Sequence, residues 1–425
     1  MQVTDQTEEP SRVLRPLGAF EQVFHLYIQH NPTHFCIPIR VAGPADAVSA
    51  EQLASALTGL QTVHPQLAAA IVGGAAEDGR SRTAEFHRSE ASAPLAVVPA
   101  GTRWEDVIAD EQTRRFDAEH GPLWRATLIP DDTAAGPAGQ TAGIVLTFDH
   151  RSTDGVGGIR AVLDLVRLLD GQHLDPEPVP AAQEELLRKR ATGPLGAPPP
   201  RPGDPRLTAP GALRPFDAVR PEVTSRSLDQ RATAALIAAT RAHGTSVQGA
   251  LCAAASQVLA EAGRDYIRIN TPIDLRRNLG LPDAVALRLM PSLAGRPAEE
   301  TTDFWALARA VADDLLPLRS LQGVLAVSGA VESTVPADAD GADAWMLAVS
   351  SLDMVLTNLG VVEAPATSTV RLVDIGGLGM SIRMAGEQIL GAVTFGGSLR
   401  MLNVAHDPVP GLLDLIAAIL LNASA

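Results

Sequence analysis

Apolar positions in the first part of the chain follow two different periods. Leu53, Leu57 and Leu60 recur at helical spacing behind Ser49-Ala50-Glu51-Gln52, where Ser and Gln stand three apart as in a capping box. Gly143 to Phe148 (Gly-Ile-Val-Leu-Thr-Phe) is a short β-rich apolar run and predicts a buried strand. Ile159, Val162, Leu163, Val166 and Leu169 then mark an amphipathic helix closed by Gly171. Asp149 to Gly158 is therefore a strand-to-helix connection, the kind of segment on which rigid elements display reactive side chains.

Further along, helical spacing covers Asp229 to His243, stopped by Gly244, and then Val247 to Ala262 and Phe304 to Leu318. Strand patterns cover Tyr266 to Ile273, Met354 to Leu356, Val370 to Val373, Ile389 to Phe395 and Leu399 to Val404, with Gly396-Gly397 suited to a hairpin turn. Twelve prolines lie from Pro176 to Pro221, interrupted by a short helical island, Ala181 to Arg190. Such density removes backbone donors and fixes φ, so the stretch predicts a linker. The expected division is an N-terminal subdomain (1–175), a Pro-rich linker (176–222) and a C-terminal subdomain (223–425). The fold class is α/β in the α+β sense, with no regular βαβ repeat.

The chain has 425 residues, more than one core comfortably serves, with 46% hydrophobic and 20% charged residues, which fits two globular subdomains and excludes a mainly disordered protein. Its 49 acidic against 34 basic residues give a net charge of −15. A surface that acidic repels phosphate backbones, so nucleic acid is not an expected partner. Two cysteines, Cys36 and Cys252, form neither a disulfide framework nor a four-cysteine zinc site. The acidic start, Met1 to Pro10, lacks the pattern of a secretory signal, and the apolar tail Gly411 to Leu421 is broken by Asp414, so no membrane span is expected. A cytoplasmic monomer is the default expectation.

Chemistry concentrates in Phe148-Asp149-His150-Arg151-Ser152-Thr153-Asp154-Gly155. A histidine here can act as a general base near neutral pH. Asp154 can orient the loop by pairing with an arginine, and Gly155 allows a sharp turn with positive φ. The alternative from spacing alone is a loop histidine beside a helix-capping aspartate. His25, His30 and His34 lie close together, but Pro32 breaks their register and no further Cys or His supports ligation, so no metal site is expected. Gly376-Gly377-Leu378-Gly379 lacks the strand, helix and acidic partner of a dinucleotide site. Arg188-Lys189-Arg190 is the densest basic cluster and reads as a solvated linker helix or as a contact for an acidic carrier protein.

His-x-x-x-Asp-Gly after a strand resembles the active-site motif of the chloramphenicol acetyltransferase-like superfamily, which includes condensation domains and polyketide-associated acyltransferases of the phthiocerol dimycocerosyl transferase type. Other segments agree in order: His64-Pro65-Gln66-Leu67, Gly121-Pro122-Leu123-Trp124-Arg125, Gly244 to Leu251, Thr271-Pro272-Ile273-Asp274-Leu275-Arg276 and Thr357-Asn358-Leu359-Gly360. The likeness spans about residues 15 to 410 and implies two α/β subdomains in a V, with an active-site tunnel between them. It implies His150 as the base that activates a hydroxyl or amine acceptor for attack on an acyl thioester. Asp154 would be the structural aspartate, salt-bridged to Arg276 from the other half, and Thr357 and Asn358 would line the tunnel or an oxyanion hole. The implied co-substrate is acyl-CoA or an acyl group on a carrier protein's phosphopantetheine, with no bound cofactor. Many relatives carry a second histidine where this chain has Asp149. A nearby carboxylate favours imidazolium, the wrong form for a base; the expectation is that Asp149 faces away from His150 and accepts backbone donors. Two rivals share the scaffold: another reaction on a biosynthetic intermediate, such as cyclisation or dehydration, and a non-catalytic carrier-docking role.

Overall fold

The computed structural model describes residues 12–73, 83–131, 140–191 and 204–425. Met1 to Pro10 and the prolines Pro194, Pro198, Pro199, Pro200 and Pro202 lie outside the described residues. Two six-stranded sheets organise the rest.

In the first sheet the order is Arg371–Ile375, His34–Gly43, Gln140–Asp149, Trp124–Pro130 and Leu95–Val97, with Gly379–Met380 also paired to the His34 strand. The long pair His34–Gly43 and Gln140–Asp149 is antiparallel, with His34 opposite Asp149. Phe35, Ile37 and Ile39 alternate with the opposite face along this strand, and all are fully buried. Helices Ala50–Val63 and Gly155–Leu169 pack against one another beside this sheet. The Gly155 helix begins six residues after the strand ends at Asp149, so the intervening loop has little freedom.

The second sheet runs Leu293–Pro297, Tyr266–Asn270, Met354–Val362, Gln388–Phe395, Ser398–Ala405 and Glu222–Leu228. Its hairpin turns at Gly396 and Gly397, both with positive φ (54° and 76°), as a tight two-residue turn requires. Helices Gln230–Ala242, Val247–Glu261, Phe304–Arg319 and Leu412–Ala423 share one buried core with this sheet.

Three expectations change. The Tyr266 strand stops at Asn270, and only a two-residue bridge, Ile273–Asp274, follows Pro272, which has no N–H to continue the ladder. The Met354 strand continues to Val362 through an irregularity after Asn358, where Gly360 takes φ +80°. The run expected over Val370 to Val373 forms Arg371–Ile375, and it pairs antiparallel with His34–Gly43 of the first sheet. The chain thus crosses back: residues late in sequence complete the sheet built by the first half. Helices Leu321–Ser333 and Ala339–Ser350 carry little amphipathic contrast and were not legible from periodicity. The largest apolar cluster spans both halves, from Phe35, Phe148 and Ile159 to Val355, Leu359 and Leu378.

Candidate active site

The loop after the Gln140–Asp149 strand is buried throughout: Asp149, His150, Arg151, Ser152, Thr153 and Asp154 are each at most 7% exposed. A buried loop needs partners for its backbone groups, and four successive N–H groups here have them, that of Arg151 on the Asp149 carboxylate. The Asp149 N–H donates to Leu123 O, the His150 N–H to Thr33 O and the Ser152 N–H to Asp149 O.

His150 lies between two phenylalanines. Phe24, from helix Ala19–His30, stacks on the imidazole with centroids 5.0 Å apart and planes at 27°, and Phe35 meets it edge-on at 5.3 Å. Its Nδ1 lies 3.0 Å from Thr153 O. A carbonyl can only accept, so Nδ1 carries the proton and Nε2 keeps its lone pair. Nε2 has no hydrogen-bond partner among the described residues. Burial pushes the His150 pKa down, outweighing the opposing pull of the Asp154 carboxylate, and so favours the neutral ring.

The Asp149 carboxylate is engaged by Arg151. Its Oδ1 accepts from the Arg151 N–H at 3.0 Å and from Arg151 Nε at 2.8 Å, and its Oδ2 accepts from Arg151 Nη2 at 2.5 Å. Burial alone would raise this carboxyl, but the Arg151 guanidinium overrides it and holds the pKa below the usual carboxylate range. Arg151 Nη1 reaches His25 Nδ1 at 3.4 Å. The acidic residue in the motif is therefore neutralised by its neighbour two positions on, a bidentate charge-assisted pair that the spacing alone does not announce.

Asp154 caps the following helix, its Oδ1 accepting from Gly157 N–H at 2.9 Å. Its Oδ2 accepts from Arg276 Nη1 at 3.0 Å and from the Arg288 N–H at 2.6 Å. The capping aspartate and the arginine-paired aspartate are thus the same side chain. Arg276 also donates to Asp274 Oδ1, Ala284 O and Ala286 O. Burial works against the Arg276 charge, but Asp154 and Asp274 outweigh it and raise the pKa.

Gly155 differs from its expected role. It is the first residue of the helix and does not have positive φ. What it supplies is closeness: a Cβ here would stand 2.8 Å from both Leu359 Cδ2 and Leu378 Cδ1. Gly158 does the same against Phe35 and Ile37.

Thr357 and Asn358 make no described contact with His150. Asn358 Oδ1 accepts from the Gly360 N–H and shapes the strand irregularity. Val355 and Leu359 belong to the cluster shared by both halves, whereas Met354 and Leu356 belong to the second core. Strand alternation puts Thr357 on the side of Val355 and Leu359, toward the seam.

The remaining candidates are dispersed. His30 Nδ1 pairs with Asp343 and His34 Nε2 bonds Glu111 O, so the three early histidines have separate partners. Gly377 and Gly391 pass backbone to backbone, which explains the glycine run at 376–379 as close crossing of two segments. Arg188, Lys189 and Arg190 are exposed and engage Glu332, Glu185 and the carbonyls of Leu279 and Gly280. Phe24 and Arg151 were missed in the sequence: Phe24 carries only an apolar helical signal, and Arg151 looks like a loop cation.

Residues 217–392 match the family described as the C-terminus of phthiocerol/phthiodiolone dimycocerosyl transferase. No curated protein matches over the chain. Among solved structures, polyketide synthase associated protein 5 from Mycobacterium tuberculosis is similar, with 19% identity and a TM-score of 0.66, covering 98% of this chain and 99% of that one. Trichothecene 15-O-acetyltransferase from Fusarium sporotrichioides is similar at 13% identity and TM-score 0.68, covering 96% of this chain and 95% of that one. The first condensation domain of the CDA synthetase is similar at 14% identity and TM-score 0.66, covering 97% of each chain. The chain shares the fold of these structures, and residues 217–392 resemble the polyketide-associated acyltransferase family.

Proposed function

We propose that this protein transfers an acyl group from a thioester, on coenzyme A or on the phosphopantetheine of a carrier protein, to the hydroxyl or amine of a small acceptor in natural-product or complex-lipid biosynthesis. The observation that carries the reading is the placement of His150: a buried imidazole whose Nδ1 lies 3.0 Å from Thr153 O, which leaves Nε2 free to accept a proton, while burial favours the neutral ring. Nε2 takes the acceptor's proton as the acceptor oxygen attacks the thioester carbonyl. The tetrahedral intermediate collapses, the C–S bond breaks, and the imidazolium returns the proton to the departing thiolate. No acyl-enzyme is required, and the ring ends as it began.

The resting charge of the site supports this direction. Asp149 is already paired, so it does not hold the imidazole protonated. Asp154 and Arg276 hold the loop and take no part in the chemistry. Thr357 Oγ1, on the seam side of its strand, has no hydrogen-bond partner among the described residues and is the candidate donor for the developing oxyanion, whereas Asn358 lies on the opposite face. Burial around His150 favours attack by a bound acceptor over water.

The test is to incubate the protein with octanoyl-CoA, or with octanoyl acyl carrier protein, and a panel of alcohols and amines, and to look for the ester or amide by mass. Product dependent on an acceptor supports the reading. Release of free octanoate alone, or an intact thioester with every acceptor, goes against it.

A further inference from the structure

The helix Gly155–Leu169 is held to late-sequence residues at both ends, and only one of those ends belongs to the motif. At its start, Asp154 takes Arg276 and the Arg288 N–H, and Gly155 lies against Leu378. At its finish, the half-buried Asp170 accepts three successive backbone N–H groups through its carboxylate. Oδ1 receives Ser368 at 3.1 Å, Thr369 at 2.6 Å and Val370 at 2.9 Å, and Oδ2 receives Ser368 N at 3.0 Å. Gln172 extends the grip, donating to Asp170 Oδ2 and to Ala366 O.

The gripped segment leads directly into the crossover. Residues 371–375 pair with the His34 strand, and Leu378 then comes to rest on Gly155. Crossover and helix therefore run alongside each other in opposite directions, clamped at 170 with 368–370 and at 155 with 378. Midway, Arg160 donates to Asp283 O at 2.9 Å and pairs with its carboxylate at 3.1 Å, a third tie to the loop that receives Arg276. A helix of this length spans about 22 Å at 1.5 Å per residue, so a shift at one clamp is carried rigidly to the other.

We propose that Asp170 is a positioning residue: by seizing the backbone of Ser368–Val370 it fixes where the crossover lies on the first sheet, and through Leu378 on Gly155 it sets the loop that holds His150. Burial works to raise the Asp170 carboxyl, but the backbone N–H groups of Ser368, Val370 and Thr369 together override it and hold it well below the usual carboxylate range. The inference rests on the acyl-transfer reading only for its kinetic arm.

The experiment compares wild type, Asp170→Asn and Asp170→Ala by amide hydrogen exchange, followed in parallel with octanoyl transfer. The Asn variant keeps the shape and so guards against a fold lost in the Ala variant. The expected result is at least tenfold faster exchange over 366–375 in both, accompanied by faster exchange over 150–158. In turnover, kcat falls severalfold while the donor KM changes less. Faster exchange confined to 366–370, with 150–158 at wild-type rates, overturns the proposal and leaves Asp170 a local cap. Unchanged exchange at both segments also overturns it. Absence of transfer by wild type counts against the acyl-transfer reading alone, because the exchange result stands without substrate.

Discussion

Arg276 Nη1 and Asp154 Oδ2 meet at 3.0 Å across the two halves, both essentially buried, and the same carboxylate caps the helix that follows His150. One side chain thus sets the end of the motif loop, the start of a helix and the join between halves.

Removing Arg276 leaves the buried Asp154 carboxylate with backbone donors and no cation, and removing Asp154 leaves the buried Arg276 with Asp274 as its remaining close carboxylate. Asp154→Ala and Arg276→Ala are each expected to destabilise by about 3–5 kcal/mol. The double variant should cost clearly less than the sum. Denaturant midpoints of the four proteins measure this, and simple additivity would show that the pair is not coupled.

The Asp149–Arg151 pair makes a second, separate claim. Asp149→Asn should destabilise the protein by about 3–5 kcal/mol, because Arg151 is left buried without its partner. Arg151→Gln added to it should recover part of the loss. Asp149→His with Arg151 retained should lower activity, since the guanidinium then faces an imidazole instead of a carboxylate.

The pH dependence of the reaction follows from His150. A base works deprotonated, and burial depresses the His150 pKa below its ordinary 6.5. The acid limb of kcat/KM should therefore fall below pH 6.5, with a plateau through neutrality. The Asp149 charge opposes this depression, so Asp149→Asn should move the limb to still lower pH. A limb above pH 7 in wild type would contradict the account.

Phe24 stacks on the face of His150, so Phe24→Ala should reduce kcat more than KM and cost about 3–5 kcal/mol of stability, whereas Phe24→Tyr should keep most of the activity. Equal kinetics in Phe24→Ala would mean that Thr153 O and Phe35 hold the ring without it.

What could be read from the sequence was local. The strand ending at Phe148 and the helix with Ile159, Val162 and Val166 were visible because burial on one face imposes a period. His150 and Asp154 stood out in the strand-to-helix loop, and the resemblance implied the Asp154–Arg276 pair, whose side chains do come into contact. The reason for Gly155 was misread, since its φ is ordinary and its closeness to Leu359 and Leu378 depends on residues more than two hundred positions away. The return of Arg371–Ile375 to the first sheet was invisible for the same reason: a strand pattern says that a segment pairs, not with what. The partner of Asp149 was the most consequential unknown, and it proved to be Arg151, two positions on.

The most direct measurement is acyl transfer by wild type and His150→Ala side by side, with the ester or amide followed by intact mass and both proteins shown to melt alike. The account predicts a loss of about 10²–10⁴-fold in the variant, the usual worth of a general base. Transfer at an unchanged rate without the His150 imidazole would contradict it and would favour a different reaction on the same scaffold.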